Sequence, residues 1–277
     1  MKIGVILSSF KLPMEQAVKT AKKIGADGLQ IHVKDLALDE GCAEQKCRDL
    51  VRIIKDEGLE VSALCGDLGC KMFYTGDRAL IDMEKRIMEY AKIFGTNIVT
   101  THIGAVSENK NCSQYESMQK VCRELAEFAD SMNGHFAVET GPERSEILRD
   151  FLDSLGSRGV AVNLDPANLV MCARDNAADA VYNLRDYIVH THAKDGKNLH
   201  AVDLCAYYAG QYYGLEKPQR PGRELPLGEG DVNFEKYLNA LRDIGYDGYL
   251  TIEREVGENP TADIEHAVKF LDTFGVR

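Results

Sequence analysis

No run of apolar residues in the 277-residue chain approaches the ~20 that a transmembrane helix needs, which argues against a membrane-spanning protein. No excess of basic residues is present either. The 33 Lys and Arg are outnumbered by 44 Asp and Glu, and the net charge of −11 opposes a nucleic-acid binder, which needs a basic face. No secretory leader is expected, because Met1–Leu7 lacks a long apolar core and runs directly into Ser8 and Ser9. Eight cysteines occur (42, 47, 65, 70, 112, 122, 172 and 205), but no CxxC pair. Free and mostly buried thiols in a reducing cytosol are the reading, and a cytoplasmic location is expected. Apolar residues at 44% and charged residues at 28% are those of an ordinary globular protein.

What the chain does contain is a weak repeat. Gly25, Gly58, Gly95, Gly134, Gly159 and Gly245 each follow a charged, helix-periodic segment and stand just before a short apolar run. Each reads as a left-handed residue closing a helix, with a strand beginning at once. The amphipathic spacing predicts helices over Met14–Ile24, Ala43–Glu57, Ala79–Phe94, Gln114–Met132, Ser145–Leu155, Ala177–Leu184, Phe234–Ile244 and Thr261–Phe274. With strands at Lys2–Leu7 and Tyr187–Ala193 added, eight strands alternate with eight helices. Strict alternation with short turns implies a parallel sheet, and eight units imply closure into a single (β/α)8 TIM-barrel domain over residues 1–277, an α/β fold. A doubly wound open sheet is disfavoured, because no glycine-rich phosphate fingerprint follows the first strand. One long interruption, Lys194–Asn233, leaves the seventh strand. It carries Tyr207, Tyr208, Tyr212, Tyr213, three prolines and a Gly228-Glu229-Gly230 turn, and reads as a lid, a pocket wall or a homo-oligomer contact.

Four of the strands end in groups that bind cations. Phe136–Glu139, Val160–Asp165 and Tyr249–Glu253 each close on a carboxylate, and Tyr187–Ala193 presents His190 and His192 on one face. Strand ends meet at the C-terminal mouth of a barrel, so Glu139, Asp165, His192 and Glu253 are a candidate metal site. Residues two positions earlier, Ala137, Asn163, His190 and Thr251, also face the axis. Three of these are polar, where packing alone would place branched aliphatics, which suits groups that orient ligands. Three carboxylates and one imidazole are a hard donor set that favours Mn²⁺, with Mg²⁺ or Co²⁺ able to substitute and Zn²⁺ less suited.

Beyond these strand ends, Val138-Glu139-Thr140, Leu164–Leu169, Val189–Asp195, Leu227–Gly230 and Gly245–Glu255 give nearly the whole chain a resemblance to the sugar phosphate isomerase/epimerase family of xylose-isomerase-like barrels. The resemblance implies that Glu139, Asp165, His192 and Glu253 hold a divalent metal, and that Glu139 and Glu253 double as an acid/base pair on opposite faces of a bound sugar. The chemistry that follows is proton abstraction beside a carbonyl through a metal-stabilised enediolate. Return of the proton by the second glutamate gives epimerisation, and return to the adjacent carbon gives aldose–ketose isomerisation. Where ketose 3-epimerases of the group tend to carry a histidine and an arginine, this chain has Asn168 and Asn198.

Substrate contacts are expected from His32 and His102, which end the second and fourth strands above Gln30 and Thr100, and from Asn168, His190, Lys194 and Arg254. Lys194, Lys197, Arg220, Arg223 and Arg254 are the cations available to a phosphorylated substrate. Other functions weigh less. A lyase or dehydratase on the same barrel would share the first proton abstraction. A nuclease of the abasic-site type would need more histidines and less negative charge, and a non-catalytic sugar-binding protein would not need both glutamates.

Overall fold

A computed structural model describes residues 1–36, 43–204, 207 and 220–277. Eight parallel strands close into a barrel in the order β1, β10, β7, β6, β5, β4, β3, β2. Their ranges are β1 Lys2–Ile6, β2 Gly28–His32, β3 Glu60–Cys65, β4 Ile98–Thr101, β5 His135–Glu139, β6 Val160–Leu164, β7 Ile188–Ala193 and β10 Tyr249–Ile252. Sequential strands pair side by side, and β1 closes the ring on β10 with Lys2 opposite Tyr249 and Val5 opposite Ile252. The alternation expected for eight βα units is therefore the architecture.

The eight expected helices form as α1 Met14–Lys23, α2 Ala43–Asp56, α3 Arg78–Phe94, α4 Ser113–Ser131, α5 Ser145–Asp153, α6 Ala177–Asn183, α7 Phe234–Asp243 and α8 Pro260–Asp272. Their boundaries follow capping chemistry. Asp77 accepts from Ala79 N to start α3, and Gly95, at φ 77°, ends it. Two glycines depart from expectation. Asn133, at φ 52°, takes the left-handed position after α4 in place of Gly134. Gly159 is needed for space: a Cβ there would sit 2.0 Å from the carbonyl oxygen of Ala126.

Outward strand side chains such as Ile3, Leu29, Leu64, Val99, Phe136, Val162 and Leu250 are buried under the apolar faces of the helices. The barrel interior is different. Gln30, Ser62, Thr100, Asn163, His190 and Thr251 are all buried and polar, and Gly4 leaves room for Thr251, whose Oγ1 would lie 2.5 Å from an added Cβ. The barrel therefore buries apolar residues outside its wall and a hydrogen-bonded network inside.

The described residues after β7 include a two-stranded ribbon. β8 (Asp195–Asn198) and β9 (Gly222–Leu225) pair antiparallel, Asp195 opposite Leu225 and Asn198 opposite Gly222. Asp195, fully buried, accepts from the backbone N–H groups of Gly196 (2.8 Å), Gly228 (2.9 Å), Gly230 (3.0 Å) and Val232 (3.1 Å), which pins the Gly228–Gly230 turn to the barrel mouth. Tyr208, Tyr212, Tyr213 and Pro218, on which the lid and oligomer expectations partly rested, lie outside the described residues.

Asp195→Ala should strand four N–H donors, two of them in fully buried bonds, and cost about 3 kcal/mol, read as a lower urea midpoint. A second prediction concerns Glu84, buried in α3 with Oε1 2.6 Å from the Thr101 hydroxyl. Burial pushes its carboxyl up to about 8 from an ordinary 4.5. The folded state then holds a proton that the unfolded chain has lost, so stability falls as pH rises between those values. Glu84→Gln should flatten that decline, measured as urea midpoints at pH 5.5 and pH 8.5.

Candidate metal centre and active site

The four strand-end groups converge. Glu139 is the last residue of β5, Asp165 and Glu253 follow β6 and β10 by one position, and His192 is the fifth residue of β7. One donor atom from each lies within 4.8 Å of every other, and all four residues are buried. His192 Nδ1 is 3.1 Å from Asp165 Oδ2, 3.1 Å from Glu253 Oε2 and 3.7 Å from Glu139 Oε1. Two donors each roughly 2.1 Å from one ion at a right angle stand about 3.0 Å apart, so this spacing fits a small divalent cation.

The polar layer beneath sets the orientation. Gln30 Oε1 is 2.9 Å and Asn163 Nδ2 3.1 Å from His192 Nε2; a proton on that nitrogen would be donated to Gln30 Oε1, and Nδ1 is aimed at the carboxylates. Gln30 in turn donates to Thr100 at 2.8 Å. Asn163 Nδ2 donates to Glu139 Oε2 at 3.2 Å, and Asn163 Oδ1 meets His190 Nδ1 at 2.8 Å. His190 Nε2 lies 3.0 Å from Thr251 Oγ1 and 3.2 Å from Ser62 Oγ. Burial holds the His190 pKa well below the ordinary imidazole value, a neutral ring among neutral partners.

Three carboxylates in a site of so little exposure repel one another, and the surroundings partly answer them. Burial alone would lower the His192 pKa; the Glu139 and Glu253 charges outweigh it and raise the imidazole to about 10. Lys194 Nζ, 3.0 Å from Glu253 Oε2, holds that carboxyl well below its usual range despite burial. Burial raises Asp165, although Lys194 and His192 pull the other way. The donor set therefore has the number, hardness and excess negative charge that a divalent cation would complete.

Around this centre a pocket of about 680 Å³ opens at the barrel mouth, lined in part by Asp67, His102, Asn168, Lys194, Glu253 and Glu255. His102 spans two carboxylates, with Nε2 3.2 Å from Glu139 Oε1 and Nδ1 3.2 Å from Asp67 Oδ2. Burial disfavours its charged form, yet Glu139 and Asp67 keep its pKa well above the ordinary value. Asn168 donates to Glu139 Oε1 at 3.0 Å, in the place where the resembling epimerases tend to carry histidine. His32 is half-buried at the end of β2, 2.9 Å from Ser8 Oγ.

Two of the expected substrate contacts do not line this pocket. His190 lies beneath the pocket, enclosed by Asn163, Ser62 and Thr251, and acts as a support. Arg254 is turned away and locked by Glu224 at 2.7 Å and Asp263 at 2.8 Å. Asp67 was missed, although it stands two residues beyond β3 on the same loop face as the other strand-end groups. Glu224 was missed because it sits inside the long interruption, where no strand register pointed to it.

Residues 18–274 match the model of the xylose isomerase-like TIM barrel family. The chain belongs to that family. Solved structures agree on the fold. A xylose isomerase domain protein from Planctomyces limnophilus is 22% identical with a TM-score of 0.78, covering 99% of this chain and 96% of the other. A probable 3-DHS dehydratase, AsbF, from Bacillus anthracis is 20% identical with a TM-score of 0.77, over 98% and 99%. D-psicose 3-epimerase from Clostridium cellulolyticum H10, solved with D-tagatose, is 16% identical with a TM-score of 0.73, over 99% and 98%. No curated protein matches the sequence.

Gln30→Leu should leave the His192 tautomer unfixed and weaken Mn²⁺ binding by roughly 10- to 100-fold, measured by titration calorimetry. Because His192 must give up a proton to bind an ion, wild-type affinity should strengthen as pH rises from 6 to 8. Calorimetry in buffers of different ionisation enthalpy should show that proton released.

Proposed function

We propose that this protein is a divalent-metal-dependent isomerase of sugars, an epimerase or an aldose–ketose isomerase, that moves a proton beside a carbonyl. The single observation that carries this reading is the placement of Glu139 and Glu253. They come from β5 and β10, with β6 and β7 between them in the ring, so their carboxylates enter one site from different sides. A proton taken from one face of a bound sugar can then be returned from the other.

Glu139, Asp165, His192 and Glu253 would hold the ion, with Mn²⁺ the best match to a three-carboxylate, one-imidazole set and Mg²⁺ or Co²⁺ able to replace it. A bound divalent cation supplies Lewis-acid stabilisation of the negative charge that develops on the substrate's oxygens during proton removal. The protein's own groups do the rest. Asn163 and Asn168 each donate to Glu139, and this fixes the carboxylate as a base rather than letting it rotate. Lys194 neutralises Glu253 from the opposite side. His102, Asn168 and Lys194 line the pocket and offer N–H donors to sugar oxygens. His32 at the rim is a further contact.

The substrate is a small molecule, since an acidic chain whose pocket is lined by carboxylates is a poor host for nucleic acid. The reading puts the protein in the cytoplasm, as one barrel domain in which Lys194, Leu199 and Arg220–Glu224 contribute to the wall of the pocket. A dehydratase is the second reading, favoured by the similarity in fold to AsbF and sharing the same initial proton abstraction.

With Mn²⁺ added, Glu139→Gln and Glu253→Gln should each lower kcat by roughly 10²- to 10⁴-fold while circular dichroism stays that of the wild type. Turnover of candidate ketoses in deuterium oxide should place label on a carbon beside the carbonyl. Full activity in either variant would remove the acid/base assignment. Loss of water from the substrate would assign the dehydratase reaction.

A further inference from the structure

Five cations stand on or beside the loops that leave the seventh and eighth strands, and the structure separates them. Arg254 is held by Glu224 and Asp263. Lys194 is buried and shared between Glu253 (3.0 Å) and Glu255 (3.2 Å). Lys197, on β8, does not line the pocket, whereas Arg220 and Arg223 do. Neither arginine forms an ion pair among the described residues.

Charge accounting around the pocket gives those two side chains their meaning. The carboxylates that line it are in contact with three of the cations: Asp67 with His102, Glu224 with Arg254, and both Glu253 and Glu255 with the single Lys194. Arg220 and Arg223 are what remains, two positive charges concentrated at one opening of a chain with net charge −11. Arg223 is carried by the β8–β9 ribbon, which Asp195 and its four backbone donors anchor to the barrel, so its backbone is fixed relative to the metal centre. The pocket's volume of about 680 Å³ leaves space between the strand-end carboxylates and these arginines for more than the reacting carbons. Guanidinium groups match phosphate and carboxylate oxygens in a planar, two-point fashion that a solvated lysine does not.

We propose that Arg220 and Arg223 form an anion subsite, and that the substrate is a ketose carrying a phosphate or carboxylate group at the end remote from the reacting carbonyl. This inference rests on the enolising reading of the metal centre for its ketose, and on the arginines alone for its anion.

The test has two independent arms. Inorganic phosphate is titrated calorimetrically into the wild type, the Arg220→Gln/Arg223→Gln double variant and Lys197→Gln, a neighbouring charge loss outside the pocket. Binding should weaken by roughly tenfold or more in the double variant and stay at wild-type strength in Lys197→Gln. Absence of binding, or equal binding in all three, overturns the subsite. In the second arm the Mn²⁺-loaded protein is assayed for solvent-deuterium uptake on free, phosphorylated and carboxylate-bearing ketoses. The anionic forms should have the higher kcat/KM, and the anionic-to-free ratio should fall roughly 10- to 100-fold in the double variant, chiefly through KM. Which anion gives the larger ratio distinguishes phosphate from carboxylate. A preference for free ketoses overturns the substrate assignment. Phosphate binding that depends on the arginines, with no deuterium uptake on any ketose, would sink the enolising reading and leave the subsite standing.

Discussion

Three carboxylates and one imidazole, buried together at one end of a barrel, repel and attract one another strongly enough to dictate much of what surrounds them. A buried negative charge without a partner is costly, and three of them in one site are tolerable only with compensating positive charge and aligned donors. Lys194, His192 and His102 supply part of that charge, and Asn163, Asn168 and Gln30 supply alignment. A divalent cation held by the four residues would complete the balance. The polar interior of the barrel follows from this demand, because a layer of branched aliphatics in its place would leave Nε2 of His192 and Oε2 of Glu139 without direction.

The fold meets the demand through geometry. Parallel strands put their C-terminal ends at one mouth, so single residues far apart in sequence arrive within hydrogen-bonding distance: Glu139, Asp165, His192 and Glu253 span more than a hundred positions of the chain. Stability and chemistry are divided between the two faces of each strand. Outward apolar residues hold the helices, and inward polar residues hold the site. Asp195 anchors the Gly228–Gly230 turn, and a turn that moved freely would not keep the neighbouring ribbon in register with the candidate metal centre.

Much of this was legible before any coordinates. Period-two strands and glycine-terminated helices identified the barrel, and the rule that strand ends converge identified the four ligand candidates and the layer of Ala137, Asn163, His190 and Thr251. A side chain's direction depends on partners from elsewhere in the chain, which no local pattern shows. Arg254 follows Glu253 directly and looked available, but Glu224 and Asp263 turn it away. His190 looked like a substrate contact because it shares a face with His192. It lies one layer deeper, where Asn163, Ser62 and Thr251 enclose it.

By itself the sequence determined the alternation of elements, the closure of the ring and the identity of the groups at its mouth, because periodicity and strand polarity are local properties that survive without knowledge of distance. Only the tertiary structure decided which nitrogen of His192 faces the carboxylates, which cations are already spent on internal partners and which are left facing the pocket. Those are properties of pairs of residues separated by tens to hundreds of positions, and no local pattern encodes the ångström differences that choose between them.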